Sequence, residues 1–172
     1  MKLTRASSYA LHAVAYMAQQ KSDRPVASHK IAQERGIQVH EGKKSEAASG
    51  SAADVISVML KTTSDERLVR GGVLRGTSLR LLGVDTIDIE VPLGGDLIYM
   101  RNRDVPGVIG KVGTLLGRHS VNIGNFALGR SGEQGSVEEA ISVVQVDSPA
   151  PAEVLQEIAQ LAEIHEVRGF KL

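Results

Sequence analysis

The stretch from Asp96 to Leu172 constrains the fold most, because its apolar residues switch between strand and helix spacing in a definite order. Alternating apolar residues predict four strands, and apolar residues at helical spacing behind Pro106-Gly107 and behind Pro149-Ala150-Pro151 predict two helices. The predicted strands are Asp96–Arg103, Val121–Leu128, Ala140–Val146 and Ile164–Leu172. The glycine-containing connection at residues 129–139 is predicted to be mobile.

The resulting order, β-α-β-β-α-β, is that of the ferredoxin-like split βαβ unit. Two right-handed crossovers place both helices on one face of a four-stranded antiparallel sheet. The other face has to be covered or offered to a partner, which points to dimerisation or domain packing. The fold class predicted for the chain is therefore α+β.

The chain before this unit predicts two further domains, which gives the division 1–36, 37–94 and 95–172. Residues 1–36 read as an N-terminal pair of helices, one from Ser7 or Ser8 to Gln20 and one from His29 to Arg35. Residues 37–94 read as a small, mostly β domain. It is predicted to hold a linker from Glu41 to Ala53, strands at Val55–Leu60, Arg67–Leu74, Leu79–Asp85 and Ile87–Val91, and a boundary at Pro92–Gly95.

Composition excludes several function classes. Among the 172 residues there is no cysteine, so disulfides, Cys-ligated zinc, iron–sulfur clusters and a thiol nucleophile are ruled out. The five histidines are scattered without metal-ligand spacing, and no Gly-x-Gly-x-x-Gly follows a strand. We therefore expect no metal, no cofactor and no catalysis by this chain alone. The absence of a long apolar run and of a signal peptide predicts a cytoplasmic location with no membrane contact.

The segments Asn102–Gly110 and Val121–Ile123 carry the chemistry of a candidate site. A helix that begins behind Pro106-Gly107 presents unpaired N–H groups suited to a carboxylate. Asp104 could accept from an α-ammonium, and Asn122, at the start of what we take as the adjacent strand, offers a donor and an acceptor. The full set of predicted ligand-binding residues, which also draws on the family resemblance given below, is Asn102, Asp104, Val105, Pro106, Gly107, Val108, Asn122 and Ile123. Spacing alone equally allows an ordinary turn, with Asp104 as a helix cap and Asn122 satisfying backbone groups.

The run RNRDVPGVIGKVGTLLGRHSVNI, residues 101–123, resembles the ACT domain at the C-terminus of bacterial phosphoglycerate dehydrogenase. Residues from about Ile31 to Val91 resemble the second half of the allosteric substrate-binding domain that precedes it in longer forms of that enzyme. The resemblance implies a dimer that binds L-serine at its interface. Carried over by position, the ligand contacts are Asn102, Asp104 and Asn122, although the family often has an aromatic residue or histidine where Asn102 stands.

The N-terminus carries a second resemblance and an excess of positive charge. Residues 1–44 hold eight Lys and Arg against three Asp and Glu. Met1–Val14 and Pro25–Ala32 resemble the opening of winged-helix repressors related to the bacterial iron–sulfur-cluster regulator, but no recognition helix follows. Binding by phosphate contacts alone lacks sequence choice, so we do not expect a DNA partner.

The leading interpretation is a regulatory amino-acid-binding module linked to L-serine biosynthesis, homodimeric and paired at most with a separate catalytic subunit. One alternative is an amino-acid-responsive transcription regulator. A second is a relative of the serine dehydratase small subunit. The third is a fusion whose first 35 residues are loosely attached to a regulatory core.

Overall fold

The computed structural model describes residues 38–42, 54–61, 66–74, 78–131 and 139–172. The chain divides between Asp85 and Thr86 into two compact units. The structure thus groups residues 86–94 with the second unit, whereas the sequence places the boundary at Pro92–Gly95. The two predicted N-terminal helices lie outside the described residues, as does the greater part of the predicted linker.

The first unit contains four strands that pair antiparallel in chain order. They are β1 (Gln38–Gly42), β2 (Asp54–Lys61), β3 (Glu66–Leu74) and β4 (Ser78–Val84). The predicted strands at β2, β3 and β4 are confirmed. The linker prediction is wrong at its start, because Glu41 and Gly42 pair with Val58 and Ser57 as the end of β1. This short strand has no clear alternation in sequence, and its pairing with β2 is what makes it extended.

Asp85 ends this part of the chain with a left-handed backbone conformation, at φ 54°. Its carboxylate oxygens accept a bond of 2.7 Å from Nη1 of Arg67 and a bond of 3.0 Å from the backbone N–H of Leu68. An aspartate tolerates this conformation when its side chain bonds locally. The same side chain thus stabilises the turn after β4 and ties it to β3.

The second unit confirms the predicted β-α-β-β-α-β order. After β5 (Ile87–Pro92) come β6 (Asp96–Arg103), α1 (Val108–Arg118), β7 (Ile123–Arg130), β8 (Glu139–Val146), α2 (Ala152–Ala159) and β9 (Ile164–Lys171). The four-stranded sheet has the order β7-β8-β6-β9, with every pair antiparallel. Gly129 and Arg130, predicted to lie in the mobile connection, are the last residues of β7. Residues 132–138 lie outside the described chain.

Both helices pack on one face of this sheet, as predicted. The core between helices and sheet contains Ile98, Met100, Val108, Val112, Leu116, Val121, Val144, Val146, Val154, Ile158 and Ile164. Val108, Val112 and Leu116 recur every fourth residue, so one stripe of α1 is buried. Removal of this apolar surface from water, at roughly 25 cal/mol per Å², is the main source of stability in such a layer.

The opposite face of the sheet is covered in part by β5. Leu97, Tyr99, Ile141 and Val143 are buried on that face, and β5 lies against β7. Their approach depends on Gly129, where an added Cβ would overlap the backbone oxygen of Asp88 and lie 2.8 Å from Cγ2 of Ile87. The second unit therefore shields part of the face that the sequence left unassigned.

Candidate functional site

The turn between β6 and α1 leaves the start of the helix open. Gly107 is the N-cap residue, with φ of 92°, a left-handed conformation that glycine adopts without strain. No side chain caps the helix, and its first turn has no acidic residue. The buried Val108 holds the helix start against the core, while Pro106 and Gly107 are exposed. Unpaired N–H groups and the positive end of the helix dipole therefore face an accessible surface.

Asp104 lies just before this helix start and is half-buried. Its Oδ2 atom is 3.1 Å from Nε of Arg130, the last residue of β7, in an ion pair. The carboxylate retains 24% of its side-chain exposure, and the arginine retains 67%. Asp104 is not a cap of α1. It is an accessible anionic group beside the N-terminus of a helix.

Asn102 is placed differently from its neighbour Asp104. Its side chain is buried, and its Oδ1 accepts from the hydroxyl of Ser142 at 3.1 Å. Its Nδ2 donates to the backbone oxygen of Arg103 at 2.8 Å. With both ends of the amide bonded inside the protein, Asn102 fixes the end of β6. That Asn102 also contacts a ligand stays a prediction, which this internal role disfavours.

The apolar members of the predicted set support the site. Val105 and Ile123 are half-buried and pack against the core between helices and sheet. With Val108 they hold the turn and the start of β7 in place. Their side chains carry no polar group, so any ligand contact from them would come from the backbone.

Asn122 precedes β7 and is exposed. Its Nδ2 donates to Oδ2 of Asp147 at 2.6 Å, and the backbone N–H of Asp147 donates to its carbonyl oxygen at 3.2 Å. These bonds fix the asparagine at the end of β8. Asp147 was not singled out in the sequence, where a single aspartate after a strand gives no signal of this pairing.

Asp104 and Asn122 lie at opposite ends of the sheet in one chain. Arg103 pairs with Glu139 at the start of β8, whereas Ile123 pairs with Val146 at its end. At about 3.3 Å per residue, the eight residues of β8 separate the two side chains by roughly 20–25 Å. The expectation that Asn122 begins the strand adjacent to β6 is therefore wrong, because β8 lies between β6 and β7. In a split βαβ unit, the two parallel strands joined by the crossover helix are separated by a third strand, which here is β8.

Arg130 is a charged neighbour of the site that the sequence analysis missed. In the sequence it was only a basic residue within the glycine-containing connection at residues 129–139. Strand register explains its position: Asn102 and Arg130 both pair with Ala140, one from each side of β8. The arginine thus reaches the Asp104 end of the sheet across a small residue.

A second ion pair stabilises the start of α1. Nζ of Lys111 lies 2.5 Å from Oε1 of Glu163, and the backbone N–H of Arg103 donates to the carbonyl oxygen of Glu163 at 2.8 Å. The hydrogen bond from Lys111 lowers the pKa of Glu163 below its ordinary value, with smaller help from the charges of Lys111 and Arg103. This contact ties the helix start to the residue before β9.

Comparison with known families agrees with this architecture. Residues 97–163 match the sequence profile described as the ACT domain. The matched range holds β6, α1, β7, β8 and α2 in the order just described. Residues 97–163 form an ACT domain.

Several D-3-phosphoglycerate dehydrogenases are similar to the chain over most of its length. That of Synechocystis sp. is 36% identical over 143 residues, which is 82% of this chain and 24% of the relative. That of Archaeoglobus fulgidus is 32% identical over 148 residues, or 86% and 27%. That of Bacillus subtilis is 29% identical over 142 residues, or 83% and 26%. The chain is thus homologous to these proteins and spans about a quarter of their length.

These alignments extend beyond the ACT domain, because a match of such length must include much of the chain before residue 97. The matches give no support to the winged-helix resemblance of residues 1–35, which lie outside the described part of the structure. No helix among the described residues is both long and apolar enough to cross a membrane. Within that same part, no three His, Asp or Glu side chains are grouped to hold a metal ion.

Proposed function

We propose that this chain is a regulatory module that binds L-serine through its ACT domain. The relatives are named D-3-phosphoglycerate dehydrogenase, and the proposal assigns this chain the regulatory role in such a system, without catalysis of its own. The observation that carries it is the open start of α1 with the accessible carboxylate of Asp104 beside it. These groups complement the two charges of a free amino acid.

The site is completed by a second copy of the chain. Strand β7 is at the edge of the sheet, and among the described strands only β8 pairs with it. If two β7 strands pair antiparallel across a two-fold axis, the start of each lies beside the end of the other. Asn122 of one copy then approaches Arg130 of the other, and Asp104 is the ion-pair partner of that arginine. Each dimer has two such sites.

Each polar group of the site binds a different part of the ligand. The N–H groups at the start of α1 receive the carboxylate, and Asp104 receives the α-ammonium. Asn122 of the second copy keeps its Nδ2 on Asp147, so its Oδ1 remains to accept from the ligand hydroxyl. Edge strand β9 cannot replace β7 in this arrangement, because it pairs with β6 on the far side of the sheet from Asn122.

Regulation follows from the position of the site. A ligand that binds only the paired form stabilises pairing by mass action, so serine would tighten the dimer. The proposal keeps the three-domain division 1–36, 37–94 and 95–172, with the ACT domain as sensor. Any dehydrogenase activity would belong to a separate catalytic part that responds to this association.

The test is calorimetric titration of the purified chain with L-serine, with glycine and L-alanine as comparison ligands. We expect saturable binding of L-serine, weakened about 10- to 100-fold by Asp104→Ala because a charge-assisted bond is lost. Asp96→Ala is the matched control, since Asp96 is a half-buried carboxylate paired with Lys171 at 3.8 Å and lies at the other end of β6. A folded protein that binds no L-serine, or equal losses in the two variants, contradicts the proposal.

A further inference from the structure

The guanidinium of Arg130 has a role that the proposed function leaves open. We propose that Arg130 binds the carboxylate of the ligand and is thus a specificity-determining residue of the site. This assignment rests on the proposed function and deepens it by naming the side chain that recognises the ligand carboxylate. The chemistry concerned is non-covalent recognition of a carboxylate with an ammonium on the neighbouring carbon.

The ion pair with Asp104 leaves one edge of the guanidinium available. The approach that defines the ion pair is from Nε of Arg130 to Oδ2 of Asp104, at 3.1 Å. The arginine retains 67% of its side-chain exposure, and among the described residues Asp104 is the group paired with it, so the edge formed by Nη1 and Nη2 is accessible. That edge is a fork of parallel donors with the geometry of a bidentate carboxylate contact.

The surroundings place this fork where a carboxylate is already favoured. Asp104 joins the end of β6 to the turn that opens α1, and its partner Arg130 brings a positive charge to the same turn. Each carboxylate oxygen can accept more than one hydrogen bond, so both can face the guanidinium while one also accepts from the helix N–H groups. Its α-ammonium is then held at the Asp104 carboxylate.

The pair is therefore complementary to a dipolar ligand as a whole. An amine without a carboxylate provides a positive charge to Asp104 but no negative charge to Arg130. A carboxylate without an ammonium can contact the guanidinium, but it also lies beside the negative charge of Asp104, which repels it. Only a molecule with both charges on neighbouring atoms gives each partner a new opposite charge.

The experiment compares L-serine with L-serinamide, which keeps the ammonium and hydroxyl and lacks the negative charge. Both are titrated into the full chain and into Arg130→Ala, Arg130→Lys and Lys171→Ala. Lys171 is the matched control, because it is an exposed cation, 72% accessible, paired with a half-buried aspartate on the opposite edge strand. Thermal unfolding checks that each variant is folded.

We expect Arg130→Ala to weaken L-serine about 10- to 100-fold and L-serinamide less than about threefold, because the lost charge-assisted bond is to the carboxylate alone. Arg130→Lys should recover part of the loss, since it restores the charge without the fork. Lys171→Ala should bind both ligands as the unaltered chain does.

Two results overturn the assignment while leaving the proposed function intact. Equal weakening of both ligands by Arg130→Ala means that the arginine only positions Asp104. No change in either ligand means that it is an ordinary surface ion pair. If the unaltered chain binds neither ligand, the proposed function fails, and the assignment fails with it.

Discussion

The two ends of helix α1 are built in opposite ways. At its start, no side chain caps the helix, Gly107 and Pro106 are exposed, and Asp104 is paired, among the described residues, with the exposed Arg130. At its end, Nε2 of His119 lies 3.0 Å from Oε1 of Glu157 in α2. Asn122, which follows the helix, donates a hydrogen bond to Asp147. Polar groups are left accessible at one end and are largely paired within the chain at the other.

The two ends of α1 therefore contribute different groups to the proposed site. The start of α1 offers charge to a small ligand, whereas the other end holds one asparagine in a fixed orientation. Because roughly 20–25 Å separates Asp104 from Asn122, the two side chains cannot contact the same ligand within one copy. An edge strand that runs between the two ends, β7, is the element through which a second copy can join them.

The largest expected effect concerns the β7 end next to Asp104. Gly129→Ala should cost about 2–3 kcal/mol of unfolding free energy, because the new methyl group collides with the backbone of Asp88. Gly124→Ala, on the same strand near Asn122, is the control. Its Cβ would find its nearest neighbour at 3.4 Å, so its effect should stay within about 0.5 kcal/mol. Urea unfolding measures both, and equal values would show that β5 does not lie against β7 as described.

A smaller effect separates Asn102 from Asp104, two neighbouring residues predicted to share one role. Asn102→Ala should cost about 1–2 kcal/mol of unfolding free energy, since the buried Ser142 hydroxyl and the Arg103 carbonyl both lose a partner. Asp104→Ala should leave stability nearly unchanged while it weakens serine binding. Denaturant unfolding and titration of both variants make the comparison.

A double variant isolates the internal hydrogen bond of Asn102. In Asn102→Ala with Ser142→Ala, the unfolding cost should be less than the sum of the two single costs, because the two side chains are bonded to each other. Additive costs would contradict the internal role. A stable Asn102→Ala chain that no longer binds serine would restore it as a ligand contact.

The smallest effect is the pH response of the ion pair between Lys111 and Glu163 at the start of α1. The pKa of Glu163 lies below its ordinary 4.5 because Lys111 donates to the carboxylate, so the pair stabilises the fold above that value. This stabilisation is lost as the pH falls through the lowered pKa. The difference in unfolding free energy between the unaltered chain and Glu163→Gln should therefore shrink between about pH 6 and pH 3. Glu153→Gln, on the exposed surface of α2, controls for the lost charge, and a constant difference would refute the account.

Local periodicity predicted the β-α-β-β-α-β order well because its elements are strongly patterned. The four-residue spacing in α1 matches its buried side chains, and the apolar run of β6 matches a strand that is buried on both faces. The two-residue period of a strand also explains Asn102, which lies on the face of β6 shared by Ile98 and Met100 and therefore points into the core. The resemblance to relatives outweighed that signal in the prediction of its role.

Features that depend on tertiary placement were missed. The pairing of Arg130 with Asp104 requires two strand ends to meet across Ala140, and neither residue has a local pattern that indicates it. The position of Asn122 was misjudged for the same reason, since strand order is set by the crossover and by the insertion of β8. Strand β1 has too few patterned residues to be distinguished from a linker.

The measurement that tests the central claim most directly is complementation between two variants that each bind L-serine weakly. Asp104→Ala and Asn122→Ala are each titrated with L-serine alone, and then as a mixture that has been allowed to exchange subunits. A site shared by two copies predicts that each mixed dimer regains one intact site, so about a quarter of all sites should bind serine again. Mixing that restores no binding, although mass spectrometry shows mixed dimers, would contradict a site built from two copies.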